Sequence, residues 1–225
     1  MGRLKLRGLD IKAPAIVASL GADASSALDR AVAEGADIVE VRLDLIREDP
    51  LEVLKEVRKR TDLPILATCR LAAEGGRFRG PEDSRIDLLV KAAGFADLVD
   101  VELRSPYRDG LIGQVSVPVV VSYHDFVGMA DVESMLEQAF LAGADLAKVA
   151  VTPSFLSDNL YLLSLLLLAR RPTCIVAMGE LGRHMRAVAP LYGSALTYGY
   201  VTDQTAPGQM SVSDLALAFR ILGVR

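Results

Sequence analysis

Two ionisable residues lie inside apolar, strand-like segments of the chain. Lys148 stands in DLAKVAVTP, and His124 stands in VPVVVSYHDF. A lysine is almost never fully buried without a partner or a function. Burial favours its neutral amine, which attacks carbonyl carbons and forms a Schiff base that can accept electrons. A nearby histidine could move protons, because imidazole ordinarily titrates near neutrality. The pair therefore predicts covalent catalysis on a carbonyl compound.

The alternative is a structural lysine held in an ion pair. Its partner would be Asp100, Glu102 or Glu40, which lie in neighbouring strand-like segments. Ionised groups in a protein interior cost several kcal/mol each unless they are paired and hydrogen-bonded. An ion-pair network would explain the lysine but not the histidine one strand earlier. The sequence therefore favours catalysis.

A strand followed by a helix recurs along the chain and would position these residues. Eight apolar, β-branched segments begin at Ala15, Asp37, Pro64, Ala96, Val117, Asp145, Thr173 and Ala195. Helical patterns occupy residues 25–34, 50–60, 87–94, 131–142, 154–170, 184–192 and 213–222, and a weaker one 105–114. This alternation predicts a single-domain α/β protein over residues 1–225, a (β/α)8 TIM barrel with a closed parallel sheet and outer helices. An open doubly wound sheet is the alternative, but its usual glycine-rich phosphate turn is replaced by SLGADAS.

Several predicted strands alternate apolar and charged side chains. In DIVEVRLD, Val39, Val41 and Leu43 share one face, whereas Glu40, Arg42 and Asp44 share the other. Successive residues of a strand point to opposite faces, so the charged set should point into the barrel. Other strand ends carry further such residues, namely Arg70, Ser122, His124, Lys148, Met178 and Glu180. Barrel enzymes keep their chemistry at the C-terminal ends of the strands, which favours an active site here.

Two loops that follow predicted strands carry additional polar residues. LAAEGGRFRG contains Glu74 beside a glycine pair, so this loop could reach over the site. TDQTAPGQMSVSDL combines Thr205, Gly208 and Gln209 ahead of a helix whose N-cap should be Ser211 or Ser213. Hydroxyl groups, glycine and a helix N-terminus together suit an anion.

Composition narrows the class of protein. Hydrophobic residues make up 51% of the 225 residues and tryptophan is absent, which predicts an aliphatic core. The net charge of −4 argues against a nucleic-acid partner. No apolar run reaches the ~20 residues that span a membrane, and no secretory signal pattern begins the chain, so we expect a cytoplasmic protein. Two distant cysteines and two histidines without zinc-like spacing predict no metal site.

Taken in order, seven segments resemble the type I 3-dehydroquinate dehydratase family of the shikimate pathway. They are VEVRLD, ATCRLAAEGGRF, LVDVEL, VSYHDF, AKVAVTP, AMGELGRHMR and YGSALTYGYVTDQTAPGQMSVSDL. The resemblance implies that Lys148 forms an imine with the C3 ketone of 3-dehydroquinate. It also implies that His124 removes a C2 proton and protonates the departing C1 hydroxyl, while Glu74 holds the histidine. The resemblance implies a homodimer, and it implies no metal or diffusible cofactor.

The resemblance also assigns substrate-binding roles. Glu40, Arg42 and Arg70 correspond to contacts with ring hydroxyls and the carboxylate, and Arg186 to a carboxylate clamp. Thr205 and Gln209 correspond to a lid, Met178 to an apolar wall, and Asp100 and Glu102 to partners of the lysine. The chain departs from the common pattern at Gly179 and Met185, where Lys and Ser are usual, and in having threonine as the lid hydroxyl.

Two other functions are compatible with a buried lysine in a barrel. One is a Schiff-base aldolase that acts on a sugar phosphate, which would need a phosphate site after the seventh or eighth strand. The arginine and glutamine in those loops suit a carboxylate better. The other is a non-catalytic barrel that binds a ligand or a partner, with Lys148 locked in an ion pair.

Overall fold

Eight parallel strands form a closed barrel in the computed structural model, which describes residues 2–204, 206 and 208–224. A hairpin of β1 (Gly2–Leu6) and β2 (Leu9–Ala13) precedes the barrel. The barrel strands are β3 (Ala15–Leu20), β4 (Ile38–Arg42), β5 (Ile65–Thr68), β6 (Leu98–Glu102), β7 (Val119–Asp125), β8 (Leu146–Val151), β9 (Thr173–Ala177) and β10 (Leu196–Tyr200). A short β11 (Met210–Ser211) extends the sheet beside β10. The predicted (β/α)8 barrel is confirmed, and each predicted strand segment contains one of its strands.

The barrel closes between β9 and β10. There the Ala195 N–H donates to the Thr173 carbonyl at 2.8 Å, and the Cys174 thiol donates to the Leu196 carbonyl at 3.3 Å. Cys69 and Cys174 are both buried free thiols, as expected of small apolar side chains.

Helices cover the outside of the barrel. They are α1 (Ala24–Ala33), α2 (Pro50–Arg60), α3 (Glu82–Ala92), α4 (Arg108–Gln114), α5 (Val132–Leu141), α6 (Leu156–Leu168), α7 (Gly179–Gly182), α8 (Met185–Val188) and α9 (Val212–Ile221). The Ser211 hydroxyl caps α9 by accepting a hydrogen bond from the Asp214 N–H at 3.0 Å. Ser211 is one of the two N-cap residues that the sequence predicted. Among the described residues, no helix is both long and apolar enough to cross a membrane.

Two helix predictions need correction. The predicted helix at residues 184–192 is only α8, followed by a 3-10 turn at Ala189–Tyr192. That turn contains Pro190, whose missing N–H cannot extend an α-helix. In contrast, α3 begins at Glu82, five residues before the predicted 87–94 segment. Two acidic residues in its first turn favour that start, because they complement the helix dipole.

The apolar residues form two layers separated by the barrel wall. Val39, Val41 and Leu43 belong to the outer layer beneath the helices, as the alternation predicts. Ile38 belongs to the inner layer, which fills the barrel interior from the N-terminal end up to Met178 and Tyr198. Leu6 of the hairpin is part of that inner layer. The hairpin therefore closes the N-terminal end, and the polar side chains lie towards the other end.

Candidate active site

A cavity opens among the C-terminal ends of the barrel strands. It encloses about 550 Å³ including its open mouth. The described residues that were predicted to be catalytic or substrate-binding all line it, namely Glu40, Arg42, Arg70, Glu74, His124, Lys148, Met178, Arg186 and Gln209. Thr205 lies outside the described residues. The structure thus brings together side chains from β4, β7 and β8 and from the segments that follow β5, β9 and β10.

Lys148 points into this cavity from β8 and is only 6% exposed. Its Nζ lies 3.6 Å from Asp100 Oδ2 and 4.0 Å from the centroid of the Tyr198 ring. The Ser122 hydroxyl donates to Asp100 Oδ1 at 2.6 Å. Burial opposes ionisation of Asp100, but Arg70 and Lys148 outweigh it and lower its pKa to about 2. The amine is therefore held beside a permanent carboxylate and an aromatic face.

Arg70 bridges the two carboxylates of β6, Asp100 and Glu102. Its guanidinium contacts Asp100 Oδ1 at 2.8 Å, Glu102 Oε1 at 3.0 Å and the Ser122 hydroxyl at 2.7 Å. The second oxygen of Glu102 lies 2.7 Å from Arg85 Nη1. Each of these buried charged groups thus has a neighbour of opposite charge, which is the condition under which a protein interior tolerates ionised side chains. Glu102 is engaged by two arginines, and Asp100 is the carboxylate that faces Lys148.

Arg85 is a member of this network that the sequence did not predict. It projects from α3, is fully buried, and also donates to the Cys69 carbonyl and to Glu82. In the segment PEDSRID it is surrounded by charged residues, which is typical of a solvated helix surface. No local signal distinguishes it from a surface arginine.

His124 and Glu74 form a dyad at the cavity mouth. Glu74 Oε2 lies 2.9 Å from His124 Nδ1 and also accepts from the His124 backbone N–H at 3.0 Å. Burial, with help from Arg70, Lys148 and Arg42, lowers the pKa of His124 well below 6.5. Burial raises the pKa of Glu74 to about 7, against the pull of Arg70. At neutral pH the imidazole is neutral, so an ionised Glu74 fixes Nδ1–H and leaves Nε2 as a base.

The glycine pair after Glu74 lets its loop fold back over the strand ends. Gly75 has φ of +82°, which favours glycine. A Cβ on Gly76 would lie 1.9 Å from the Arg70 carbonyl oxygen, so that backbone approach requires glycine as well. This turn places the Glu74 carboxylate against the histidine.

Glu40 and Arg42 line the wall contributed by β4. The Ser19 and Thr68 hydroxyls donate to Glu40 at 2.5 and 2.9 Å. Asp44, predicted to share their face, lies in the 3-10 turn Leu43–Leu45 after the strand ends. Its carboxylate accepts from Arg42 at 2.9 and 2.8 Å, so it orients that guanidinium from the side.

Met178 and Arg186 follow β9, and Gln209 follows β10. Arg186 donates to the Gly208 carbonyl at 3.0 Å and to the Tyr198 carbonyl at 3.3 Å. Burial lowers its pKa to about 10, which leaves it a cation at neutral pH. Gly179 and Gly208 meet closely beside it, because a Cβ on Gly208 would lie 2.3 Å from the Gly179 carbonyl oxygen. The departure from the family pattern at Gly179 thus coincides with a close contact between two loops.

The cavity wall also contains residues that the sequence did not single out. They include Ser19, Phe126, Ala150, Val176 and Tyr198. Phe126 stacks on His124 with ring centroids 6.5 Å apart. Tyr198 stands in ALTYGYV, where an aromatic residue is typical of an ordinary strand. Within the described residues, no group of three or more His, Cys, Asp or Glu side chains is arranged to hold a metal ion.

The sequence model of the type I 3-dehydroquinases matches residues 15–225. The chain belongs to this family. A 3-dehydroquinate dehydratase of Methanothrix thermoacetophila is 56% identical over 223 residues, which cover 99% of this chain and 98% of the relative. Type I 3-dehydroquinases are enzymes, so membership confirms the predicted resemblance and counts against both the aldolase and the non-catalytic barrel.

Solved structures of 3-dehydroquinate dehydratases show the same fold. The enzyme from Geobacillus kaustophilus is 31% identical and superposes with a TM-score of 0.89, covering 99% of this chain and 97% of that one. The type I enzyme from Clostridium difficile is 30% identical with a TM-score of 0.86, covering 98% and 97%, and its structure contains covalently modified comenic acid. The hairpin and the whole barrel thus have counterparts in type I 3-dehydroquinases.

Proposed function

We propose that the protein dehydrates 3-dehydroquinate to 3-dehydroshikimate through a Schiff base on Lys148, as a step of aromatic amino-acid biosynthesis. The observation that carries this proposal is the position of the lysine. Its buried amine lies in a cavity that also contains the His124–Glu74 dyad. The covalent modification in the Clostridium difficile relative is consistent with covalent chemistry in this family.

The reaction begins with attack of the Lys148 nitrogen on the C3 carbonyl carbon. A C–N bond forms, and the carbonyl oxygen leaves as water with one proton from the amine and one delivered through His124, so that a protonated imine remains. His124 then removes a proton from C2, and the electrons of that C–H bond move into the imine to form an enamine. When the enamine electrons return, the C1–O bond breaks and the histidine gives its proton to the departing hydroxide. Water hydrolyses the resulting protonated imine with the assistance of His124, which accepts the released proton, and 3-dehydroshikimate and the free amine are formed.

The remaining cavity residues bind and orient the substrate. Arg186, Arg42 and Gln209 suit the carboxylate, since arginine binds planar anions through two parallel hydrogen bonds. Glu40 and Arg70 suit ring hydroxyls, and Met178 provides an apolar wall. We retain Thr205 as a lid residue in this proposal. In this proposal, side chains of the protein perform the covalent and proton-transfer steps, and no metal or diffusible cofactor is required.

Borohydride reduction in the presence of 3-dehydroquinate tests the proposal. Reduction of the imine would leave a stable adduct, which peptide mass mapping should locate on the Lys148 peptide. Lys148→Ala should form no adduct and no product, whereas Lys55→Ala, on the surface of α2, should behave like the wild type. Product formation without an adduct, or an active Lys148→Ala variant, would contradict the covalent mechanism.

We also propose a homodimer that covers the apolar surface of α6. This helix leaves large leucine side chains exposed, including Leu160 (70%), Leu167 (66%) and Leu168 (75%). Contiguous exposed apolar surface marks interaction sites in soluble proteins. Sedimentation equilibrium should give twice the mass of one 24.1 kDa chain, and Leu160→Glu should shift it towards the monomer. A wild-type mass of one chain would contradict this assembly.

The proposed working form is one catalytic domain over residues 1–225 that acts in the cytoplasm on a small molecule. Neither nucleic acid nor a membrane is a partner in this proposal, which the net charge of −4 supports. Cell fractionation with activity measurement would test the location.

A further inference from the structure

Tyr198 lies directly against the amine that the proposed reaction uses. It belongs to β10, lines the cavity and is 5% exposed. Lys148 Nζ stands 4.0 Å from the centre of its ring. A cation at this distance over an aromatic face is attracted by the negative charge density of the ring, most strongly where water is excluded.

The hydroxyl of Tyr198 is buried and makes no hydrogen bond to the described residues. A buried hydroxyl without a partner is destabilising and is rare in folded proteins. Burial, with Glu40, Cys174 and Asp100 adding to it, raises the pKa of Tyr198 well above 10. The phenol therefore keeps its proton at neutral pH and is available as a donor beside the reacting nitrogen.

We propose that Tyr198 is a further substrate-contacting residue, whose ring face stabilises the positive nitrogen of Lys148 and whose hydroxyl donates to the C4 hydroxyl of 3-dehydroquinate. This inference rests on the proposed function. The nitrogen is cationic in the protonated imine, so the ring stabilises the intermediate that accepts electrons.

The substrate's own chemistry selects the C4 hydroxyl as the partner. Once Lys148 is joined to C3, the ring carbons that flank the imine are C2 and C4. C2 carries only hydrogen, whereas C4 carries a hydroxyl. The ring and the hydroxyl of Tyr198 belong to one rigid group whose centre lies 4.0 Å from the amine, so in this proposal the hydroxyl lies beside the carbons that flank the imine. Glu40 and Arg70, which line the same region, can share that substrate hydroxyl.

Two variants and two substrates separate these contributions. Tyr198→Phe removes the hydroxyl and keeps the ring. It should lower kcat/KM for 3-dehydroquinate about fivefold, as expected for one neutral hydrogen bond. It should leave kcat/KM unchanged for an analogue that lacks the C4 hydroxyl. The melting temperature should stay the same or rise, because the variant removes an unpartnered polar group.

Tyr198→Leu removes the ring as well. It should slow formation of the borohydride-trapped adduct by a further factor of about five, from loss of the cation–π contact. Tyr123→Phe is the matched control. Tyr123 is also buried and has the Arg104 guanidinium 4.6 Å over its ring, but it packs in the outer apolar layer. It should leave both kinetic measurements unchanged.

The outcomes are distinct. Wild-type kinetics in Tyr198→Phe, or an equal loss with both substrates, would overturn the assigned hydroxyl contact, even if Tyr198→Leu fails to fold. A lower melting temperature with an unchanged kcat/KM would make Tyr198 a structural residue and would also overturn the inference. If the wild type neither forms the adduct nor turns over 3-dehydroquinate, the proposed function itself fails instead.

Discussion

Buried ionisable groups at this site depend on one another for their charge. Glu74 and His124 lie 2.9 Å apart, and burial moves both towards their neutral forms. The base that the proposed reaction needs is a neutral imidazole whose Nδ1 proton is fixed by a carboxylate. With Glu74 titrating at about pH 7, that arrangement is lost as the pH falls, although the imidazole is still neutral.

We therefore predict an acidic limb in the pH dependence of kcat/KM with a midpoint near pH 7. Below that pH Glu74 is protonated, so it no longer stabilises the imidazolium that forms when His124 takes the C2 proton. Glu74→Gln should lower kcat/KM at pH 8 about tenfold or more and flatten the limb. Glu133→Gln, on the exposed side of α5, should retain the wild-type profile. Persistence of the full limb in Glu74→Gln would assign it to another group.

Arg186 offers a second test at the level of one side chain. Arg186→Lys should raise KM about 10- to 100-fold and change kcat less, because lysine cannot reproduce paired hydrogen bonds to a carboxylate. Arg183→Lys, three residues earlier and exposed, should leave KM unchanged. Steady-state kinetics would contradict the clamp role if kcat fell while KM stayed constant.

Secondary-structure elements hold these side chains through contacts that a single residue can disturb. The loop between β10 and β11 passes so close to Gly179 that Gly208, with φ of +68°, has no room for a side chain. We predict that Gly208→Ala displaces this loop, weakens the contact of Arg186 with the Gly208 carbonyl and raises KM at least fivefold. Gly113→Ala, in α4 with open space around it, should have no kinetic effect and should stabilise the protein by up to about 1 kcal/mol. Equal KM values in the two variants would contradict a positioning role for the loop.

Helix α3 contributes to the interior through Arg85. Arg85→Met would leave Glu82 without its arginine and Glu102 with Arg70 alone, and loss of one partner of a buried ion pair costs about 3–5 kcal/mol. Urea unfolding should show this loss. The control is Arg60→Met, which removes a partly exposed arginine from ion pairs with Asp29 and Glu56 and should cost less than about 1 kcal/mol. A loss in Arg85→Met as small as the one in Arg60→Met would mean that the interior network adds no more stability than a surface ion pair.

The sequence predicted what local periodicity encodes and missed what depends on packing between distant segments. Alternation in DIVEVRLD identified the inward face of β4, because a strand's side chains point alternately to its two sides. The hairpin, α3's early start and Arg85 were missed, because short polar segments carry no such period. Tyr198 was missed because its proposed role depends on Lys148. That residue lies fifty positions earlier in the sequence, and only closure of the barrel brings the two side chains together.

Across the whole molecule, the two ends of the barrel have different roles. The inner apolar layer is closed by the hairpin at the N-terminal end and reaches the cavity at Met178 and Tyr198, whereas the charged side chains occupy the C-terminal half. Barrel enzymes in general separate stability and chemistry in this way. The hairpin should therefore contribute to folding and not to catalysis.

Ile11 tests that separation, since it is 4% exposed and packs in the inner layer from the hairpin. Ile11→Ala should lower the free energy of unfolding by about 2–5 kcal/mol, because the removed methyl groups leave a cavity under the barrel. Its kcat, measured well below the unfolding temperature, should stay within about twofold of the wild type, since the reacting groups lie at the opposite end. Lys5→Ala, exposed on the same hairpin, should change the free energy of unfolding by no more than about 0.5 kcal/mol and leave kcat unchanged. A large fall in kcat for the fully folded Ile11→Ala protein would show that the two ends are coupled, and that the inner layer transmits strain from the hairpin to the layer that holds Lys148.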